Sequence, residues 1–172
     1  ETLIYPIDSV ALAQGGLLKN MDVPVPAKEM TINLKGKDAL GKQELLVLNM
    51  LQTNDWKRPM YYAITVSPDQ FVKLDPYFQQ TGMAYQIVPM QTQNTVKAIN
   101  SEKMFDNVMN KFKWGGVDKP GIYLDENVMR MCKSYRMVVF GKLATTLIYE
   151  KKNDKALQVL DKCMEVLPPE NV

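Results

Sequence analysis

Asn54-Asp55-Trp56-Lys57-Arg58-Pro59 places an aromatic ring, two cations and a carboxylate within six consecutive positions. An indole face suits a sugar ring, and a planar guanidinium holds a carboxylate or phosphate through paired donors. Asn54, Asp55, Trp56, Lys57 and Arg58 are therefore the first candidate ligand-binding residues. The same residues fit a second reading. In it, Asn54 and Asp55 build an Asx turn, Trp56 is a packing lid and Arg58 pairs with a nearby carboxylate. Both readings stand on the sequence.

Asp125 and Glu126 are adjacent carboxylates, with Arg130 one helical turn further on. They are secondary candidates. Glycosidase-type chemistry needs two carboxylates opposed across a substrate. Neighbours at a helix start more simply cap it and complement its dipole. Gly36-Lys37-Asp38-Ala39-Leu40-Gly41-Lys42-Gln43 comes close to a phosphate loop. It lacks the hydroxyl that such a loop uses to hold magnesium, so it reads as a solvated Gly-Lys loop.

Histidine is absent from all 172 residues. That excludes Ser-His-Asp and Cys-His nucleophiles, histidine bases and every histidine-containing metal site. No metal site, cofactor or catalytic residue is expected. The charge balance of 21 basic and 19 acidic residues excludes the dense basic face of a nucleic-acid binder.

These residues need elements to position them. Leu3–Ile7 predicts a strand, followed by a small helix capped by Asp8 and stopped at Gly15-Gly16. Val23-Pro24-Val25-Pro26 predicts an extended linker. Met30–Leu34 predicts a strand, Gln43–Thr53 a strongly apolar helix, and Met60–Val66 the clearest strand. Ser67-Pro68-Asp69-Gln70 has the composition of a helix start, and Asp75-Pro76 restarts a second short helix before a strand at Met83–Val88. Strands separated by helices argue for parallel neighbours. Residues 1–95 thus read as a small α/β layer with a mainly parallel sheet.

Residues 96–172 read as helical, with 1–172 forming one compact unit. Asn100–Phe112 predicts an amphipathic helix broken at Trp114-Gly115-Gly116. Asp125 caps a long helix running to about Glu150, and Lys155–Leu167 is a final helix stopped by Pro168-Pro169. Phe140, Leu143, Ala144 and Leu147 share one face, and Ala156, Leu160, Cys163 and Pro168 follow. This pattern over about 137–168 is that of one tetratricopeptide-like hairpin, which alone lacks the groove that about three repeats build. Cys132 and Cys163 lie too far apart along such a hairpin for a disulfide, which predicts two free, mostly buried thiols. No apolar run reaches the ~18–20 residues of a membrane span.

Met50-Leu51-Gln52-Thr53-Asn54-Asp55-Trp56-Lys57-Arg58-Pro59-Met60-Tyr61-Tyr62-Ala63 resembles the L-x-x-N-x-W-x-R-P-I-Y-F segment of a family of large bacterial membrane proteins of formerly unknown function. The resemblance continues through Asp75-Pro76-Tyr77-Phe78, Gly82-Met83-Ala84-Tyr85, Met104–Trp114, Tyr123–Asn127 with Arg130, and Ala156–Pro168. It covers roughly residues 30–170. That family is related to protein O-mannosyltransferases of the multispanning glycosyltransferase C superfamily.

The resemblance implies a C-terminal domain on the periplasmic side of the bacterial inner membrane. Its partners would be the membrane-spanning N-terminal part of the same polypeptide and a protein or glycan acceptor. The superfamily's catalytic carboxylates lie in the membrane half, so the implied role is non-catalytic and accessory, with any glycosyltransferase activity in the parent protein. A start at Glu1 without Met agrees with a piece of a longer chain. The alternative is a protein-interaction or scaffold module with no glycan role; a soluble enzyme using Asp125 or Glu126 is a third.

Overall fold

A computed structural model describes residues 2–14, 17–22, 26–93 and 96–171. The predicted stop at Gly15-Gly16 and most of the linker at 23–26 lie outside them. The chain divides into two units, one of Glu1–Gln80 with Ala84–Asn100, the other of Thr81–Met83 with Ser101–Val172.

In the first unit, β1 (Thr2–Pro6) leads to α1 (Ser9–Gln14). Asp8 caps this helix: its Oδ1 accepts from the Val10 and Ala11 amides at 2.8 and 3.1 Å. β2 (Glu29–Asn33) alternates, with Met30 and Ile32 fully buried. It pairs antiparallel with β1, from Thr2 opposite Asn33 to Pro6 opposite Glu29. α2 (Lys42–Asn54) buries Leu48 and Leu51.

β3 (Tyr61–Ala63), β4 (Phe78–Gln80) and β5 (Ala84–Ile87) make a second sheet in the order β3-β5-β4. All of its pairings are antiparallel. The mainly parallel sheet expected from sequence is therefore corrected. A parallel pair needs a crossover of a dozen or more residues. Here Gln80 and Ala84 are separated by three, and Gly82 turns the chain at φ 138°. Among the described residues, the parallel element is a single bridge between Gln80 and Ile99. The fold is mixed α/β with small antiparallel sheets.

The helix predicted from Ser67 is one short 3₁₀ turn, Pro68–Gln70. Val72 and Lys73 then take left-handed φ values of 54° and 58°, which a right-handed helix cannot continue through. Tyr62, Phe71, Phe78 and Tyr85 form an aromatic cluster, with Phe78 and Tyr85 stacked at 5.4 Å. Around it packs one apolar core that includes Leu12, Met30, Ile32, Trp56, Leu74, Ile87 and Val88.

The second unit is helical. α3 (Ser101–Asp106) runs on into a π-helical stretch, Asn107–Lys111. Gly82 lies against Phe112: a Cβ there would meet Cζ at 2.6 Å. α4 (Glu126–Tyr135), a π-helical stretch (Arg136–Gly141) and α5 (Lys142–Tyr149) follow one another without a break. This is the long helix predicted from Asp125. α6 (Asn153–Val166) returns against α5 after a short turn, completing a helical hairpin. Phe140, Leu143, Leu147, Val159 and Leu167 are fully buried. Cys132 and Cys163 are free and buried, as expected.

Candidate functional site

The start of α2 settles what the Gly-Lys loop does. Glu44 Oε2 accepts from the Gly41 amide at 2.8 Å, and its other oxygen pairs with the Lys37 ammonium. Bonding to Lys37 and to the Gly41 amide holds the Glu44 carboxyl below its usual range. Lys37 is thus committed to a helix cap rather than to a phosphate.

The end of α2 builds the Trp56 turn. Asp55 and Trp56 take successive left-handed conformations, with φ 45° and 57°. Such values are uncommon outside glycine and persist where surroundings enforce them. Two features do so here. Asn54 bonds the Arg58 main chain through both ends of its side-chain amide, and the Trp56 ring is sunk in the core at 8% exposure. The Lys57 amide also donates to the Asn54 carbonyl at 2.8 Å.

This backbone separates the five residues proposed as one site. Trp56 and Asp55 line a cleft of about 340 Å³ together with Leu3, Ile4, Tyr5, Pro6, Leu51 and Gln52. Asn54, Lys57 and Arg58 line a different hollow of about 420 Å³ with Met50, Thr53, Pro59 and Met60. In these two hollows the cations and the ring are apart. Lys57 makes a loose surface pair with Asp55 at 3.8 Å, both side chains well exposed. Arg58 is exposed.

The secondary candidates lie in the second unit. Asp125 is the N-cap of α4, its Oδ1 accepting from the Val128 amide at 2.9 Å. Arg130 donates through Nη2 to Asn127 Oδ1 at 2.7 Å, and Glu126 is exposed in the first turn. These bonds are local to the helix start. Among the described residues, no group of three or more Cys, Asp or Glu is placed to hold a metal ion. None of the described helices is long and apolar enough to cross a membrane.

Sequence reasoning missed that β1 forms one wall of the Trp56 cleft. The two segments are about fifty positions apart, and only the fold brings them together. It also missed Tyr77, whose hydroxyl accepts from the Thr31 amide at 2.8 Å and donates to the Thr31 carbonyl at 3.1 Å. That side chain closes the β2 edge. Nothing in the composition around Tyr77 distinguishes it from an ordinary core tyrosine.

The family model for TMEM260-associated domain 2 matches residues 1–107. The chain belongs to this family. No curated protein and no solved structure matches it. The TMEM260-associated domain takes in β1, the Trp56 turn, the cleft between them and both sheets. It also takes in the first thirty residues, which the bacterial resemblance leaves outside. Asp125, Glu126 and Arg130 fall beyond the matched span.

Proposed function

We propose that this chain is a non-catalytic accessory domain of a membrane protein that resembles glycosyltransferases related to protein O-mannosyltransferases. In this reading it lies on the extracytoplasmic side, the periplasmic side where the parent is bacterial. There it contacts the acceptor, a glycan or the membrane-spanning part of its own polypeptide. The observation that carries the reading is the match of residues 1–107 to a domain associated with TMEM260. The ordered resemblance over residues 30–170 supports the glycosyltransferase relation, and the helical hairpin of α5 and α6, read as one tetratricopeptide-like unit, supports a docking role. Asp125 is occupied as a helix cap, which favours a supporting role over catalysis by this chain.

A second reading, a protein-interaction module without a glycan role, is favoured by one observation. Trp56 is buried in the core and offers no open ring face for a sugar to stack on. Glycan and peptide arrays probed with the 172-residue chain separate the two. Glycan binding lost in Arg58→Ala supports the first reading. Binding confined to peptides leaves the second.

A further inference from the structure

β1 has one edge paired and one edge open. The Ile7 amide donates to the Lys28 carbonyl at 2.9 Å, which places Ile7 opposite Lys28. In an antiparallel ladder, main-chain groups point alternately toward the partner and away from it. Tyr5 and Leu3 share the parity of Ile7 and face β2; Ile4, opposite Thr31, faces away. The partner strand confirms this alternation. The outward amide and carbonyl of Thr31 are the ones bonded by the Tyr77 hydroxyl. The equivalent outward groups of Ile4 have no protein partner among the described residues.

The cleft beside Trp56 runs along this open edge. Four consecutive residues, Leu3 to Pro6, line it. Side chains of a strand alternate between faces, so a hollow bordered by all four follows the edge rather than either face. The opposite wall is the end of α2 and the turn: Leu51, Gln52, Asp55 and Trp56.

We propose that this edge takes an extended peptide strand as a third member of the sheet, with a basic side chain of that peptide meeting Asp55. Unpaired main-chain donors and acceptors are the complement of another backbone, and strand addition draws its affinity from those bonds. Charge selects the occupant. Asp55 is the charged residue of the lining, and its contact with Lys57, at 3.8 Å between well-exposed groups, is readily exchanged. Thr2–Pro6 carries no charged side chain, so a second copy adding its own β1 brings no cation from that strand to Asp55. Exposed Ile4, at 60%, gives a passing strand an apolar contact on the open face. This inference goes beyond the reading above and holds whether or not the parent protein transfers sugar.

The probe is a fluorescent seven-residue peptide of alternating Val and Thr with a central Lys. Three companions carry a central Glu, a central Ala, or N-methylated amides along one edge. Anisotropy titrations against the 172-residue chain are expected to rank Lys above Ala above Glu, with about tenfold between Lys and Glu. N-methylation abolishes binding, and Asp55→Asn removes the preference for Lys while leaving binding of the Ala peptide. Amide exchange at Ile4 slows when the Lys peptide is bound. The N-methylated peptide leaves the protein unaltered, so this arm stands even if a variant misfolds. Absence of saturable binding by the Lys peptide overturns the proposal. So does binding indifferent to N-methylation, or sedimentation showing a dimer that dissociates in Ile4→Pro.

Discussion

Asn54 clasps Arg58 by the main chain alone. Its Nδ2 donates to the Arg58 carbonyl at 2.7 Å, and its Oδ1 accepts from the Arg58 amide at 3.2 Å. Both bonds close a turn that contains two left-handed residues. Asn54→Ala removes both and is expected to lower stability by about 1–2 kcal/mol. Asn54→Asp retains the acceptor and falls between. Urea midpoints measure both; an Asn54→Ala protein as stable as wild type would show that Trp56 burial alone sets the turn.

The separation of Trp56 from its neighbours makes opposite predictions for adjacent positions. Trp56→Ala empties a buried site and costs about 3–5 kcal/mol. Lys57→Ala and Arg58→Ala alter exposed side chains and stay within about 0.5 kcal/mol. Thermal melts of the three variants test this. A large drop for Arg58→Ala would mean that its guanidinium has a structural partner and would remove it as a ligand contact.

Tyr77→Phe takes one hydroxyl from two groups at once. The Thr31 amide and carbonyl both lose their partner, between the fully buried Met30 and Ile32. The expected cost is about 1–3 kcal/mol. Hydrogen exchange at Thr31 should accelerate beyond what the global loss explains; unchanged exchange there would rule out the edge-closing role.

Alkaline pH acts through Tyr62. Burial, and then the nearby Glu44 carboxylate, push its phenol up to about 12 from 10.0. The folded protein therefore keeps a proton that the unfolded chain releases near pH 10. Stability is lost as pH rises from about 10 towards 12. The Cys132 and Cys163 thiols, also raised by burial, begin the same trend from the ordinary thiol range. The Tyr62 hydroxyl is buried without a hydrogen-bond partner among the described residues. Tyr62→Phe is thus expected to be neutral or stabilising at pH 7 and to flatten the decline above pH 10, as read by denaturant midpoints across that range. A slope unchanged by the substitution would assign the decline to other groups.

Apart from the one expected at Ser67, the helices were legible in the sequence because their signals are local. Asp125, and the buried Phe140, Leu143, Ala144, Leu147, Ala156 and Cys163, need no distant partner to be read; Leu160, expected at a packing position, is instead exposed and Val159 is buried in its place. β4 was not legible. Gln79 and Gln80 have no strand preference, yet both are buried, and Gln79 bonds the Asp22 amide and the Lys97 carbonyl with its side chain. Tertiary bonds made them a strand. The Trp56 turn was legible as a turn; the expected grouping of ring and cations was not met, since they line different hollows. The direction in which each side chain leaves it was not legible. That depends on left-handed φ at Asp55 and Trp56, which residue type does not announce.

The two borders of the β1–β2 ribbon differ in kind. Tyr77 stoppers one at its midpoint, and on the other the outward groups of Ile4 have no protein partner among the described residues. In a pairing of two copies through β1, both open borders are used and each remaining ribbon border carries Tyr77. A contact between two copies would close as a pair and could not propagate into a fibre. The tyrosine hydroxyl thus acts as a stop on the β2 border, so that ribbon-to-ribbon stacking of copies has a built-in end.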